Sequence, residues 1–230
     1  GTPSQYYGRA VTGSVQIYDG IFAQHAASDS EDEEILVLNT PEALPTVWSS
    51  FDKDADWTVT SEGRVVSKIS SGGTSARSKG EKFTGKWYAE IVATNMSTTA
   101  YVGFATIEAA LNAGPGAHTY VLQDGGYWKN QTSSEPDNYG PFVDGSVIGI
   151  AVDRDTDKAW VAIDGVWQGA GSPNPATGTD PSPTTMGVGD GVLLYVNGWA
   201  STNVYTINST AEQCTYTAPT GFAYWTDKNE

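Results

Sequence analysis

Four aspartates come closest to a metal-binding pattern. With Asp153 as position 1, Asp155, Asp157 and Asp164 fall at positions 3, 5 and 12, the spacing of a helix-flanked calcium loop. Position 6 is Lys158, where such a loop needs glycine, and position 12 is Asp where a bidentate Glu is usual. Segments 147–152 and 159–163 on either side alternate like strands, so the pattern reads as a hairpin with an acidic turn. No metal site is assigned, and at most a weak surface cation site stays open.

Nucleophilic catalysis finds little material. The histidines are His25 and His118, far apart and without a G-x-S-x-G elbow. Cys214, the single cysteine, lies in the alternating stretch 213–217 and reads as a buried strand thiol. A glycosidase needs two carboxylates facing across a cleft, and among 27 acidic residues nothing marks a pair. The Gly-rich pieces 114–116, 125–126 and 187–191 do not follow a strand and open a helix, so no phosphate cradle is expected. Three Asn-x-Ser/Thr matches, at Asn95, Asn130 and Asn208, are chance-level in a chain this rich in Ser and Thr. No catalytic residue and no cofactor is assigned.

Recognition chemistry is better supplied. Segment 112–142 carries Tyr120, Tyr127, Trp128 and Tyr139 among Gly, Asn and Asp, with Asn138 beside the last. Segment 168–187 is a Pro/Gly/Thr-rich excursion that begins just after Trp167. Aromatic rings beside short polar groups suit sugars, which offer an apolar face and a rim of hydroxyls. Tyr120, Tyr127, Trp128, Asn138, Tyr139 and Trp167 are therefore the candidate ligand-binding residues, with Trp128 and Trp167 the two expected at the surface.

Composition narrows the classes. The 230 residues hold 12 basic against 27 acidic side chains, a net charge of −15, and only 17% are charged. Eight Trp and 12 Tyr mark a folding chain rather than a disordered one. The acidity argues against nucleic acid, whose phosphates need clustered Lys and Arg, and against anionic membrane surfaces. No apolar run approaches the roughly 20 residues that cross a bilayer as a helix. Residues 1–10 lack the basic start and apolar centre of a signal peptide, which argues against export by the general pathway.

The elements that must carry these residues are strands. Segment 86–94 alternates Trp87, Ala89, Ile91 and Ala93 against Tyr88, Glu90 and Val92. Segments 101–106, 147–152, 159–163 and 192–196 are short, β-branched and bounded by Gly, Asn and Asp, and only 106–112 reads as a helical turn. The expectation is an all-β, antiparallel two-sheet sandwich. Residues 1–46 differ: seven acidic residues face Arg9 alone, and all eight Trp lie beyond them. This stretch holds two expected strands, 15–18 and 35–38, around the acidic run 28–34, and reads as an N-terminal arm before a sandwich spanning 47–230.

Several motifs in order resemble the SPRY domain family. Gly85-Lys86-Trp87-Tyr88-Ala89-Glu90-Ile91 resembles its GKWY strand, with Ser75-Ala76-Arg77 fitting the strand before it. Val102-Gly103-Phe104-Ala105, Tyr139-Gly140, and Gly145-Ser146-Val147-Ile148-Gly149-Ile150-Ala151-Val152-Asp153 follow in order. Asp164-Gly165-Val166-Trp167, Val196-Asn197-Gly198 and Pro219-Thr220-Gly221-Phe222 complete the series over about 75–225. Ser146 and Asp164 depart from the usual acidic residue and Asn, and Trp199 follows Gly198 where the pattern has already passed its aromatic. Gly165-Val166-Trp167-Gln168-Gly169 and the Pro/Gly/Thr-rich run after it resemble SPRY domains of bacteriophage structural proteins.

The resemblance implies a SPRY-like jelly-roll sandwich that binds through loops and has no catalytic activity. It also places Tyr127, Tyr139 and Gly140 at positions that pack the sandwich. The function it implies is a non-enzymatic virion protein anchored by residues 1–46. The expected partners are other virion proteins and a host-surface glycan or protein, in a homo-oligomer or larger assembly within a virion formed in the host cytoplasm. A soluble peptide-binding SPRY adaptor is the alternative, and a polysaccharide-cleaving enzyme a more distant one.

Overall fold

The computed structural model describes side chains for residues 44–96, 99–134, 139–187 and 189–227, with the backbone of Glu135 and of four strands nearer the N-terminus. The chain divides into two compact units, one holding residues up to Leu44 and the other Pro45–Asp227.

The first unit is an antiparallel meander of β1 (Tyr6–Ala10), β2 (Gly13–Tyr18), β3 (Ile21–His25) and β4 (Ile35–Leu38). Tyr6 is opposite Ile17, Ile17 opposite Phe22, and Phe22 opposite Leu38. The sequence reading expected two of these strands. The additional two carry Tyr6-Tyr7 and Ile21-Phe22, good β-formers, and Asp19-Gly20, a dipeptide suited to hairpins, separates β2 from β3.

β5 (Leu44–Pro45) spans the division in the chain, and the second unit contains β6 (Trp48–Lys53), β7 (Trp57–Thr60), β8 (Val65–Lys68), β9 (Thr74–Ser78) and β10 (Lys86–Asn95). It continues through β11 (Ala100–Ala105), β12 (Thr119–Gln123), β13 (Tyr127–Asn130), β14 (Ser133–Glu135), β15 (Val147–Asp153) and β16 (Lys158–Ile163). The last are β17 (Val166–Gln168), β18 (Leu193–Gly198), β19 (Val204–Asn208), β20 (Ala223–Tyr224) and β21 (Thr226–Asp227). One sheet runs β14-β13-β12-β11-β18-β9-β6, and the other β17-β16-β15-β10-β19-β8-β7 with β20 parallel to the start of β10. All other pairs in both sheets are antiparallel. The only helices among the described residues are 3-10 turns at Ser61–Gly63 and Pro175–Thr177. The helical turn expected at 106–112 is a run of turns and bends instead, with a single Ala109 to Thr106 backbone bond.

Side-chain alternation builds the core. Ala89, Ile91 and Ala93 of β10 point inward with Ile148, Ile150 and Val152 of β15, against Val102 and Phe104 of β11 and Leu194 and Val196 of β18. Each sheet also carries a small apolar cluster apart from this core. Tyr101, Ala105, Val121 and Tyr195 pack with Ala109 of the loop after β11. Tyr88, Ala151 and Trp160 pack under Trp167, Cys214, Ala218, Phe222 and Tyr224.

That second cluster explains the expectation the structure overturns for Cys214. The residue is half-buried in a turn-rich segment, not on a strand, because the chain from Thr210 to Phe222 crosses the sheet as a cover rather than pairing into it. Glu90, on the opposite parity of β10 from the core residues, fastens this cover. Its carboxylate accepts from the backbone N–H groups of Thr215 and Tyr216, both at 2.7 Å, and from the Tyr88 hydroxyl at 2.9 Å.

Candidate recognition surface

The four aspartates of the calcium-like pattern are engaged by the chain's own donors. Asp153 ends β15, and its Oδ1 accepts from the N–H groups of Asp155 and Thr156 while Oδ2 lies 3.1 Å from Lys86 Nζ. Burial would raise its pKa, but the Thr156 and Lys86 contacts outweigh that and hold the carboxyl below its ordinary value. Asp155 accepts from Gly85 N–H at 2.7 Å, and Asp157 from the Arg154 guanidinium at 2.6 Å. Asp164 sits at the far end of β16 and accepts from Val147 N–H at 2.8 Å. No cluster of three or more potential metal ligands occurs among the described residues. Cys214 donates to the Asn208 carbonyl, and burial followed by the nearby Glu90 charge pushes its thiol up to about 12. His118 is exposed in a turn, and the side chain of His25 lies outside the described residues.

The six candidate binding residues divide between core and surface, and the parity of β13 reverses the expectation for two of them. Trp128, expected at the surface, is 1% exposed, and its indole N–H donates to the Pro183 carbonyl at 2.7 Å. Tyr127, expected in the packing, is 46% exposed. Adjacent residues of a strand point to opposite faces, so burying the larger Trp128 in the core forces Tyr127 outward. Tyr120 is buried and stacked on Phe104 at 5.2 Å between centroids. Tyr139 is half-buried and stacked on Trp128 at 6.0 Å, in agreement with the packing role. Trp167 is half-buried with its ring edge-on to Tyr88 at 6.3 Å. Asn138 lies outside the described residues.

The structure joins the two loops that the sequence singled out. Gln168 Oε1 accepts from Gly140 N–H at 2.9 Å, and its Nε2 donates to the Val166 carbonyl at 2.7 Å. Gln131 Nε2 donates to Thr185 Oγ1 at 2.6 Å, and Thr185 Oγ1 to Asn130 Oδ1 at 3.1 Å. Arg154, buried beneath, donates to the carbonyls of Gly187 and Asp190 and so anchors the far end of the 168–187 excursion. The result is a rim of pinned loops, with exposed Tyr127, Val143 and Val166 and a largely occupied set of polar groups. Among the described residues, these hydrogen bonds tie the loops to one another and to the sandwich, as a binding surface requires.

Sequence reasoning passed over Trp199, which is 47% exposed in the connection between β18 and β19. Its departure from the motif series was the available signal: an aromatic placed directly after a strand-ending Asn-Gly pair.

No protein-family model matches the sequence, and no curated protein is similar to it at the sequence level. Solved structures are similar to it, 190 chains in number. The SPRY domain of human HERC1 has a TM-score of 0.56 and 11% identity, over 70% of this chain and 96% of that one. At such identity the likeness establishes the fold, a SPRY-like antiparallel sandwich.

Proposed function

We propose that the chain is a non-enzymatic recognition module of a bacteriophage virion. The SPRY-like sandwich would be displayed outward, and residues up to Leu44 would attach it to other virion proteins. The observation that carries the recognition half is the rim of joined loops, which the Gly140–Gln168 and Gln131–Thr185 hydrogen bonds hold together. The division into two units supports the attachment half, since the sandwich has a full core of its own and the preceding strands pair among themselves. The phage setting rests on the resemblance of the 165–178 region, and the absence of nucleic acid among the partners rests on the acidity.

Host-surface attachment and particle decoration are both roles for such a module. Removal of residues 1–44 is expected to abolish incorporation into particles while the sandwich stays folded and soluble. Incorporation of the truncated chain at the normal level would refute attachment through this segment. The SPRY-like fold itself favours the second reading, a soluble protein-binding adaptor, which predicts a strict monomer.

A further inference from the structure

Trp199 stands on a support built for it. Its N–H donates to the Thr99 carbonyl at 3.2 Å, and its own carbonyl accepts from Gly72 N–H at 3.0 Å, which fixes the backbone from both sides. The connection is braced from below by buried groups: Asn203 Nδ2 donates to the Tyr205 hydroxyl at 3.1 Å, and that hydroxyl donates to the Asn197 carbonyl at 3.3 Å. Asn197 Nδ2 in turn holds the Ala113 carbonyl at 2.9 Å, bringing the 112–116 loop alongside.

The indole itself is seated against glycine backbone. A Cβ added at Gly73 would come within 2.7 Å of ring carbons Cε2 and Cζ2, and one at Gly114 within 3.4 Å of Cζ2. Any larger residue at Gly73 would displace the ring, so the glycine leaves room for the indole to lie close. Nearly half of the residue stays exposed on this seat. An aromatic ring held rigid and partly open loses little conformational freedom when something stacks on it.

The surroundings define what would stack. Segments 69–73, 112–116 and 199–203, together with Thr99, contain no charged residue, in a chain that carries −15. They supply the exposed side chains of Ser71, Asn112, Ser201 and Thr202, with Ile69 exposed beside them. A neutral ring with an apolar face and a rim of hydroxyls matches a single indole framed by small uncharged hydrogen-bonding groups. Protein-interface hot spots are enriched in Trp, Tyr and Arg clustered together, and these segments hold no Arg and no aromatic besides Trp199.

We infer that Trp199 is the stacking platform of a binding site for a neutral glycan. This rests on the reading of the sandwich as a recognition module and names its ligand class and site. The test uses the full chain, calorimetric titration with neutral oligosaccharides (malto-, cello-, manno-, galacto- and chito-series) and, as charged probes, hyaluronan and polygalacturonate. The expected result is binding to at least one neutral series, weakened about tenfold or more in Trp199→Ala and largely retained in Trp199→Phe, with thermal midpoints unchanged. Absence of binding to every neutral series, or preference for the charged probes, overturns the inference. Neutral-glycan binding undiminished in Trp199→Ala also overturns it while leaving the recognition reading intact. Loss of a protein partner without any glycan binding would assign the platform to protein contact instead and refute the glycan site.

Discussion

Glu90 is a carboxylate with the burial that often marks a catalytic group, yet both of its oxygens are spent on holding the Thr215–Tyr216 backbone and the Tyr88 hydroxyl. Glu90→Gln replaces one accepting oxygen with a donor facing an N–H, and is expected to cost about 1–3 kcal/mol, read as a lower urea midpoint. Cys214, within the same cover, has its thiol pushed up to about 12, so it should react slowly with alkylating reagents at pH 8 until the protein unfolds. Glu81 shows the opposite electrostatics from Asp153. Burial first, then Glu108 and, more weakly, Asp52 raise its carboxyl, against the pull of Arg77. A raised carboxyl favours the folded state only while protonated, so this contribution is lost as pH rises through the folded value. Glu81→Gln should therefore raise the thermal midpoint at pH 7, and the gain should vanish below the ordinary carboxyl value of 4.5.

Strand β13 carries the clearest contrast at the scale of elements. Trp128 fills the core between Phe104 and Tyr139 while Tyr127 faces out, so Trp128→Ala should cost about 3–5 kcal/mol and Tyr127→Ala within about 0.5 kcal/mol, by denaturant titration. The sequence could not assign this parity, because both residues are large aromatics and β13 is only four residues long, too short to display a period. In β10 the opposite holds. Its ten residues alternate long enough for Ala89, Ile91 and Ala93 to declare the core face, and the structure places them there. Strands buried on a consistent face were thus legible, as was the hairpin that dissolves the calcium pattern into turn contacts. The cover over Glu90 and the joining of the two rim loops were not, since both depend on contacts between residues far apart in sequence, such as Gly140 with Gln168. Trp199 was visible as an irregularity, but its glycine seat comes from Gly73 and Gly114 on two other loops.

On the scale of the whole molecule, the net charge of −15 is shared between two compact units. The sandwich closes its own core around Trp48, Trp57, Trp128 and Trp225, whereas the first unit is a four-stranded sheet carrying none of the eight Trp. In the proposed role, the first attaches and the second recognises. Light scattering of the full chain and of the chain lacking residues 1–44, under the same buffer conditions, tests this division most directly. The account predicts a multimer for the full chain and a monomer for the truncated one, with the tryptophan fluorescence of the folded sandwich preserved. A full chain that is strictly monomeric, or a truncated chain that still assembles, would contradict it.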